Sequence, residues 1–169
     1  MSAKHIENGG ARDQGPSLQV YIECQDAAST SAPHVVVHGA DPNSLHTVIL
    51  WDHDAPYPGL GGTLGARSPF VHWMVANAPG ADFDHPNAVT VVPYEHPAPP
   101  ADSPAHMYAL LVVEQRAPWD MRALYAISSF PRQRFPLEGV IDMVRTDVWG
   151  ETSFEADAHT LAIPSPSCS

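Results

Sequence analysis

Eighteen prolines run through the 169 residues of this chain, and they limit what it can fold into more than any other feature. Proline lacks a backbone N–H and clashes with the preceding helical turn, so prolines this frequent cut helices short and favour strands joined by turns. The segments between them read accordingly. "SLQVYIE" (17–23) alternates apolar and polar residues, and "PHVVVHG" (33–39) is a short β-branched run. "HTVILW" (46–51) is apolar enough for a central strand. "FVHWMVANAPG" (70–80) ends at a Pro-Gly turn, and "AVTVVPYE" (88–95) follows it. "HMYALLVVEQ" (106–115) is the strongest strand signal, and "DVWGETSF" (147–154) is the last. One helix is expected, at 131–144, with Phe135, Val140, Ile141 and Val144 on its apolar face. Short strands, turn signals and one late helix predict a mainly β fold, an antiparallel sandwich.

The length and an apolar fraction of 44% suit one domain with a sizeable core. Residues 1–17 read as a disordered N-terminal arm, 18–155 as the domain, and 156–169 as a loose C-terminal tail. The longest loop, "YPGLGGTLGARSP" (57–69), holds four glycines and is expected to be mobile and to border the site. It lacks the Gly-Lys-Ser/Thr ending of a phosphate-cradling loop.

Nineteen acidic against eight basic residues leave a net charge of −11. Such a chain, with Lys4 its only lysine, is poorly suited to nucleic acid or to an anionic membrane surface. Cys24 and Cys168 form no disulfide framework. The polar N-terminus has no signal-peptide core, and no apolar run is long enough to span a bilayer, so the expected location is cytoplasmic.

Residues with chemical potential cluster at strand ends. "LWDHDAPYPG" (50–59) closes a strand with Asp52, His53 and Asp54 and then turns sharply. His72 lies in "PFVHW", Pro100 in "PAPP", and His106 with Tyr108 in "HMY". Taken singly, each has an ordinary explanation: Asp-x-Asp is common turn chemistry, and a histidine in an apolar strand is usually a hydrogen-bonded core residue. Zinc-type spacing is missing, so neither a metal nor another cofactor is expected.

Taken together and in order, "DHDAP", "SPFVHWMVANAPG" and "APPADSPAHMYALLVVEQ" resemble the phosphatidylethanolamine-binding protein family. Its motifs are Asp-Pro-Asp-Ala-Pro, an aromatic-x-His segment reaching Asn-x-x-Gly, and Gly-Pro-Pro followed by His-Arg-Tyr and a strand ending in Glu-Gln. The resemblance covers roughly residues 30–150. It implies a β-sandwich with a small anion-accepting pocket at one end of a large sheet, lined by Asp52, Asp54, His72, Pro100, His106 and Tyr108. It also implies a cis Ala55–Pro56 bond, with Ser68–Pro69 a second candidate. His53, Met107 and Ala98 stand where the family's motifs have proline, arginine and glycine.

Two functions follow. One is a binding module for a small anionic or zwitterionic ligand, such as a phospholipid head group, with a protein partner as an addition. The other is a cofactor-free enzyme in which His72 and Asp54, assisted by His53 and Tyr108, perform acid–base dehydration, isomerisation or cyclisation. An Asp–His pair serves either, because a carboxylate fixes the tautomer and raises the basicity of its imidazole. Here the pair is expected to join His72 to Asp52 or Asp54. Without a Gly-x-Ser-x-Gly elbow, acyl transfer is the weaker chemistry.

Overall fold

The computed structural model describes residues 18–22, 31–59 and 67–156. The expected arm, nearly all of the expected tail, the centre of the glycine-rich loop and both cysteines lie outside the described residues. Seven strands form where the patterns place them: β1 Gln19–Ile22, β2 Val35–His38, β3 Leu45–Asp52, β4 Phe70–Pro79, β5 Val89–Val92, β6 His106–Gln115 and β7 Arg145–Ala156. β1 and β2 pair as a two-stranded sheet. The other five form an antiparallel sheet in the order β5-β4-β3-β6-β7.

Central β3 and β6 are buried almost throughout, because both faces of the large sheet are covered. On one face Val48, Leu50, Trp73, Val75, Tyr108, Leu110, Val112 and Phe154 pack with Leu18, with Val20 of β1 and with Val35 and Val37 of β2. On the other, Ile49, Trp51, Met74, Ala109, Leu111 and Val113 pack beneath two helices, α1 Met121–Ser128 and α2 Leu137–Val144. Gly150 of β7 lies where the chain entering β1 crosses the large sheet. Leu18 N–H donates to the Trp149 carbonyl, and a Cβ at position 150 would press on the Leu18 carbonyl oxygen.

The helices correct the sequence reading in two respects. The late helix starts at Leu137, not at 131, since Pro136 cannot sit inside it; the Pro136 carbonyl instead accepts the first helical bond, from Val140 N–H. The other helix, α1, was not expected. It is eight residues long and depends on Asp120, whose carboxylate accepts from Ala123 N–H at 2.8 Å as an N-cap. Leu124 and Ile127, three apart, bury its inner face. No helix among the described residues is long and apolar enough to cross a membrane.

Candidate functional site

The last residue of β3, the first of β6 and a residue near the start of β4 meet at one end of the large sheet. Register brings them together: Asp52 pairs with Tyr108 on one side and with Phe70 on the other. His72 has no partner in the β3–β4 ladder, because Leu50 faces Trp73 and the next residue, Trp51, faces Val71. It is the extra residue of a bulge, and bulges re-aim side chains. Its ring stands edge-on to Tyr108, with centroids 5.4 Å apart.

Asp52 is buried and fully engaged. One carboxylate oxygen accepts from Asp54 N–H at 2.7 Å, closing the Asp-x-Asp turn. The other accepts from His106 Nδ1 at 2.8 Å. A carboxylate offers only acceptors, so in the neutral imidazole the proton sits on Nδ1 and Nε2 carries a lone pair. That Nε2 lies 3.0 Å from Ser103 Oγ. Asp54, half-buried, accepts from Met107 N–H at 2.8 Å and ties the turn to the start of β6. Tyr57 donates to the Asp102 carboxylate at 3.1 Å, joining the loop after β3 to the loop before β6.

This geometry corrects the expected pairing. The imidazole beside Asp52 belongs to His106, whereas His72 Nδ1 donates to the Glu95 carbonyl at 2.8 Å. Burial holds His72 below its ordinary value of 6.5, against smaller upward pulls from that carbonyl and from Asp52. His53 is not brought into the cluster. It is exposed, its ring packs 5.3 Å from Trp51, and it lines a separate cavity of about 680 Å³ between the sheet and α2. Successive residues of an extended chain face opposite ways, which puts Asp52 and His53 on opposite sides of the sheet.

Tyr108 lies at the centre. It is fully buried, stacked on Phe154 with centroids 5.2 Å apart, and its hydroxyl has no well-formed hydrogen bond. Burial first, then the charge of Asp52 and a loosely formed hydrogen bond to its carboxylate, and last the charge of Asp54, push the phenol far above its ordinary value, so it remains a neutral O–H donor. Pro100 is half-buried, and its carbonyl accepts from Ser103 N–H at 3.0 Å.

Sequence reasoning missed Ser103, and also Arg132, which holds the outer wall in place. The Arg132 guanidinium donates to the carbonyls of Val71 and His72 at 3.1 Å and of Pro93 at 2.7 Å, and its Nε lies 3.1 Å from Glu95 Oε2. Nothing in the residues around Arg132 signals this. Ser103, three residues before His106 in a proline-bounded turn, was open to notice. The acid–base residues are not grouped for metal binding: among the described residues no cluster of three His, Cys, Asp or Glu could hold an ion.

The family model for phosphatidylethanolamine-binding protein matches residues 9–158. The protein CENTRORADIALIS of Antirrhinum majus is 32% identical over 119 residues, which cover 68% of this chain and 53% of that one. The chain thus spans about half the length of such relatives. Among solved structures, a phosphatidylethanolamine-binding protein from Plasmodium vivax superposes with a TM-score of 0.54 at 17% identity, covering 83% of this chain and 85% of that one. A carboxypeptidase Y inhibitor bound to its cognate proteinase gives 0.53 at 16% identity, covering 83% and 82%. The ordered motifs, the sandwich and these matches agree: the chain belongs to the phosphatidylethanolamine-binding protein family.

Proposed function

We propose that the chain binds a small oxyanion or zwitterionic head group at the cluster of Asp52, Asp54, His72, His106 and Tyr108. The Tyr108 hydroxyl carries this reading. Its O–H has only a loosely formed hydrogen bond, to the already engaged Asp52 carboxylate; a fully unpaired buried O–H costs about 1–3 kcal/mol, and a ligand oxygen seated among the three strand ends would recover part of that energy. Ser103, joined to His106, is only half-buried, and its N–H donates to the Pro100 carbonyl. Asp54, anchored through one oxygen, keeps a carboxylate available for a ligand ammonium group. His72 is neutral near pH 7, so it receives an anion only on taking up a proton. Anion affinity therefore rises as pH falls below 6.5 towards the lowered value of His72.

Calorimetric titration with inorganic phosphate, O-phosphoethanolamine and ethanolamine tests this. Phosphate and O-phosphoethanolamine should bind, more tightly at pH 5.5 than at pH 7.5. Ethanolamine alone should bind weakly. Saturable heat from neither phosphate species, at concentrations that would reveal a Kd of about 1 mM, would overturn the reading.

A further inference from the structure

The relay through His106 ends on a hydroxyl, and that hydroxyl belongs to the most accessible of the three linked side chains. Asp52 and His106 are buried, while Ser103 is only partly covered. The distances are 2.8 Å from Asp52 Oδ2 to His106 Nδ1 and 3.0 Å from His106 Nε2 to Ser103 Oγ. Nucleophile, base and orienting acid thus stand in the order and at the spacings of an activated serine. The Asp52 carboxylate is itself fixed by Asp54 N–H.

Ser103 has a second acceptor within reach, the Pro104 carbonyl at 2.9 Å. Its single proton goes to one acceptor at a time. With His106 neutral, a Ser103 proton turned to Pro104 would leave two lone pairs facing each other at 3.0 Å, so it belongs on Nε2. With His106 protonated, Nε2–H donates to Oγ and the hydroxyl donates to Pro104. Each protonation state of the imidazole has a satisfied hydrogen-bond pattern, as a base that takes up and returns a proton requires.

We infer that Ser103 is a nucleophile activated by His106 and Asp52, able to take an acyl group from an activated ester; this rests on the same strand-end cluster admitting a small ligand. Ser103 Oγ bonds to the acyl carbon while its proton passes to His106 Nε2. The ester C–O bond breaks, and the leaving alkoxide or phenoxide takes that proton. Water then gives a proton to Nε2 and its oxygen to the acyl carbon, and Ser103 leaves with the proton restored. Two nearby backbone donors cannot serve the developing oxyanion, since Ser103 N–H is held by the Pro100 carbonyl and Met107 N–H by Asp54. Loss of one oxyanion donor costs about 10²–10³ in rate. The substrate class is accordingly esters with good leaving groups, aryl esters above all.

The test uses the full chain with a fluorophosphonate probe and with p-nitrophenyl acetate, read by intact mass and peptide mapping. A single adduct per chain at Ser103, matched by a p-nitrophenolate burst, is expected. Both should vanish in Ser103→Ala, while that variant keeps the circular-dichroism spectrum of the parent. No adduct on the parent chain, or an adduct that persists in Ser103→Ala, overturns the inference. Phosphate binding without labelling would leave the binding reading intact and remove the nucleophile. Labelling of Ser103 without phosphate binding would do the reverse.

Discussion

His106 Nδ1 and Asp52 Oδ2 lie 2.8 Å apart across 54 residues of sequence, and both side chains are buried. Removing one partner of such a pair strands the other in a poorly solvated place. His106→Ala should therefore cost about 3–5 kcal/mol and lower Tm by on the order of 10 °C for a chain of this size. Adding Asp52→Asn to His106→Ala removes the stranded charge and should restore part of the loss. Thermal unfolding followed by circular dichroism reads both; a double variant no more stable than His106→Ala would contradict this account of the pair.

Strands were the most legible part of the fold, because each is an apolar run bounded by prolines or glycines. β3 read as central and β6 as the strongest strand because their apolar residues do not alternate, as befits strands covered on both faces. Helix α1 escaped because eight residues carry little periodicity and depend on a single cap at Asp120. Within the site, Asp52, Asp54, His72, His106 and Tyr108 do converge on one end of the sheet, but the choice of partners was illegible. Register decides it, and the bulge that turns His72 leaves no mark in the sequence. The displacement of His53 to the other face was legible in principle, since it follows Asp52 in an extended chain. Ser103 read as a turn residue because its role comes only from the imidazole three residues on.

Two buried imidazoles give stability a definite pH dependence. Burial, the leading cause in each, holds His46 and His72 below 6.5. The unfolded chain therefore takes up these protons more readily than the folded one. Their contribution is complete above pH 6.5 and is lost as pH falls towards the lowered folded values. Urea midpoints should drop between pH 7.5 and 5.5. His46 is fully buried in β3, and its ring has only loosely formed hydrogen bonds to the backbone of Ser44 and Ala78. His46→Leu should flatten this dependence without destabilising the chain at pH 7.5. An unchanged slope in that variant would exclude His46 as a source.

Gly150 allows the start of β1 to cross β7. A methyl group there meets the Leu18 carbonyl and would lie 2.8 Å from Val20 Cγ2. Gly150→Ala should destabilise by about 1–3 kcal/mol, as overpacking of a close crossing does. Amide exchange should report the loosening first at Leu18, whose N–H donates to the Trp149 carbonyl at 3.1 Å. A urea midpoint equal to that of the parent would show that the crossing gives way without cost.

Tyr108→Phe isolates the phenol's role, because it removes one oxygen and leaves the ring stacked on Phe154 in place. If the buried hydroxyl awaits a ligand oxygen, its loss should leave the ligand-free protein about as stable as the parent, since only a loosely formed hydrogen bond to Asp52 is lost. The same change should weaken phosphate binding by roughly ten- to a hundredfold, the worth of a hydrogen bond to a charged group. The measurement is phosphate titration calorimetry on both proteins, with Tm recorded for each in the absence of phosphate. Weaker phosphate binding with a Tm close to the parent's is expected; unchanged phosphate affinity would refute the role assigned to the Tyr108 hydroxyl.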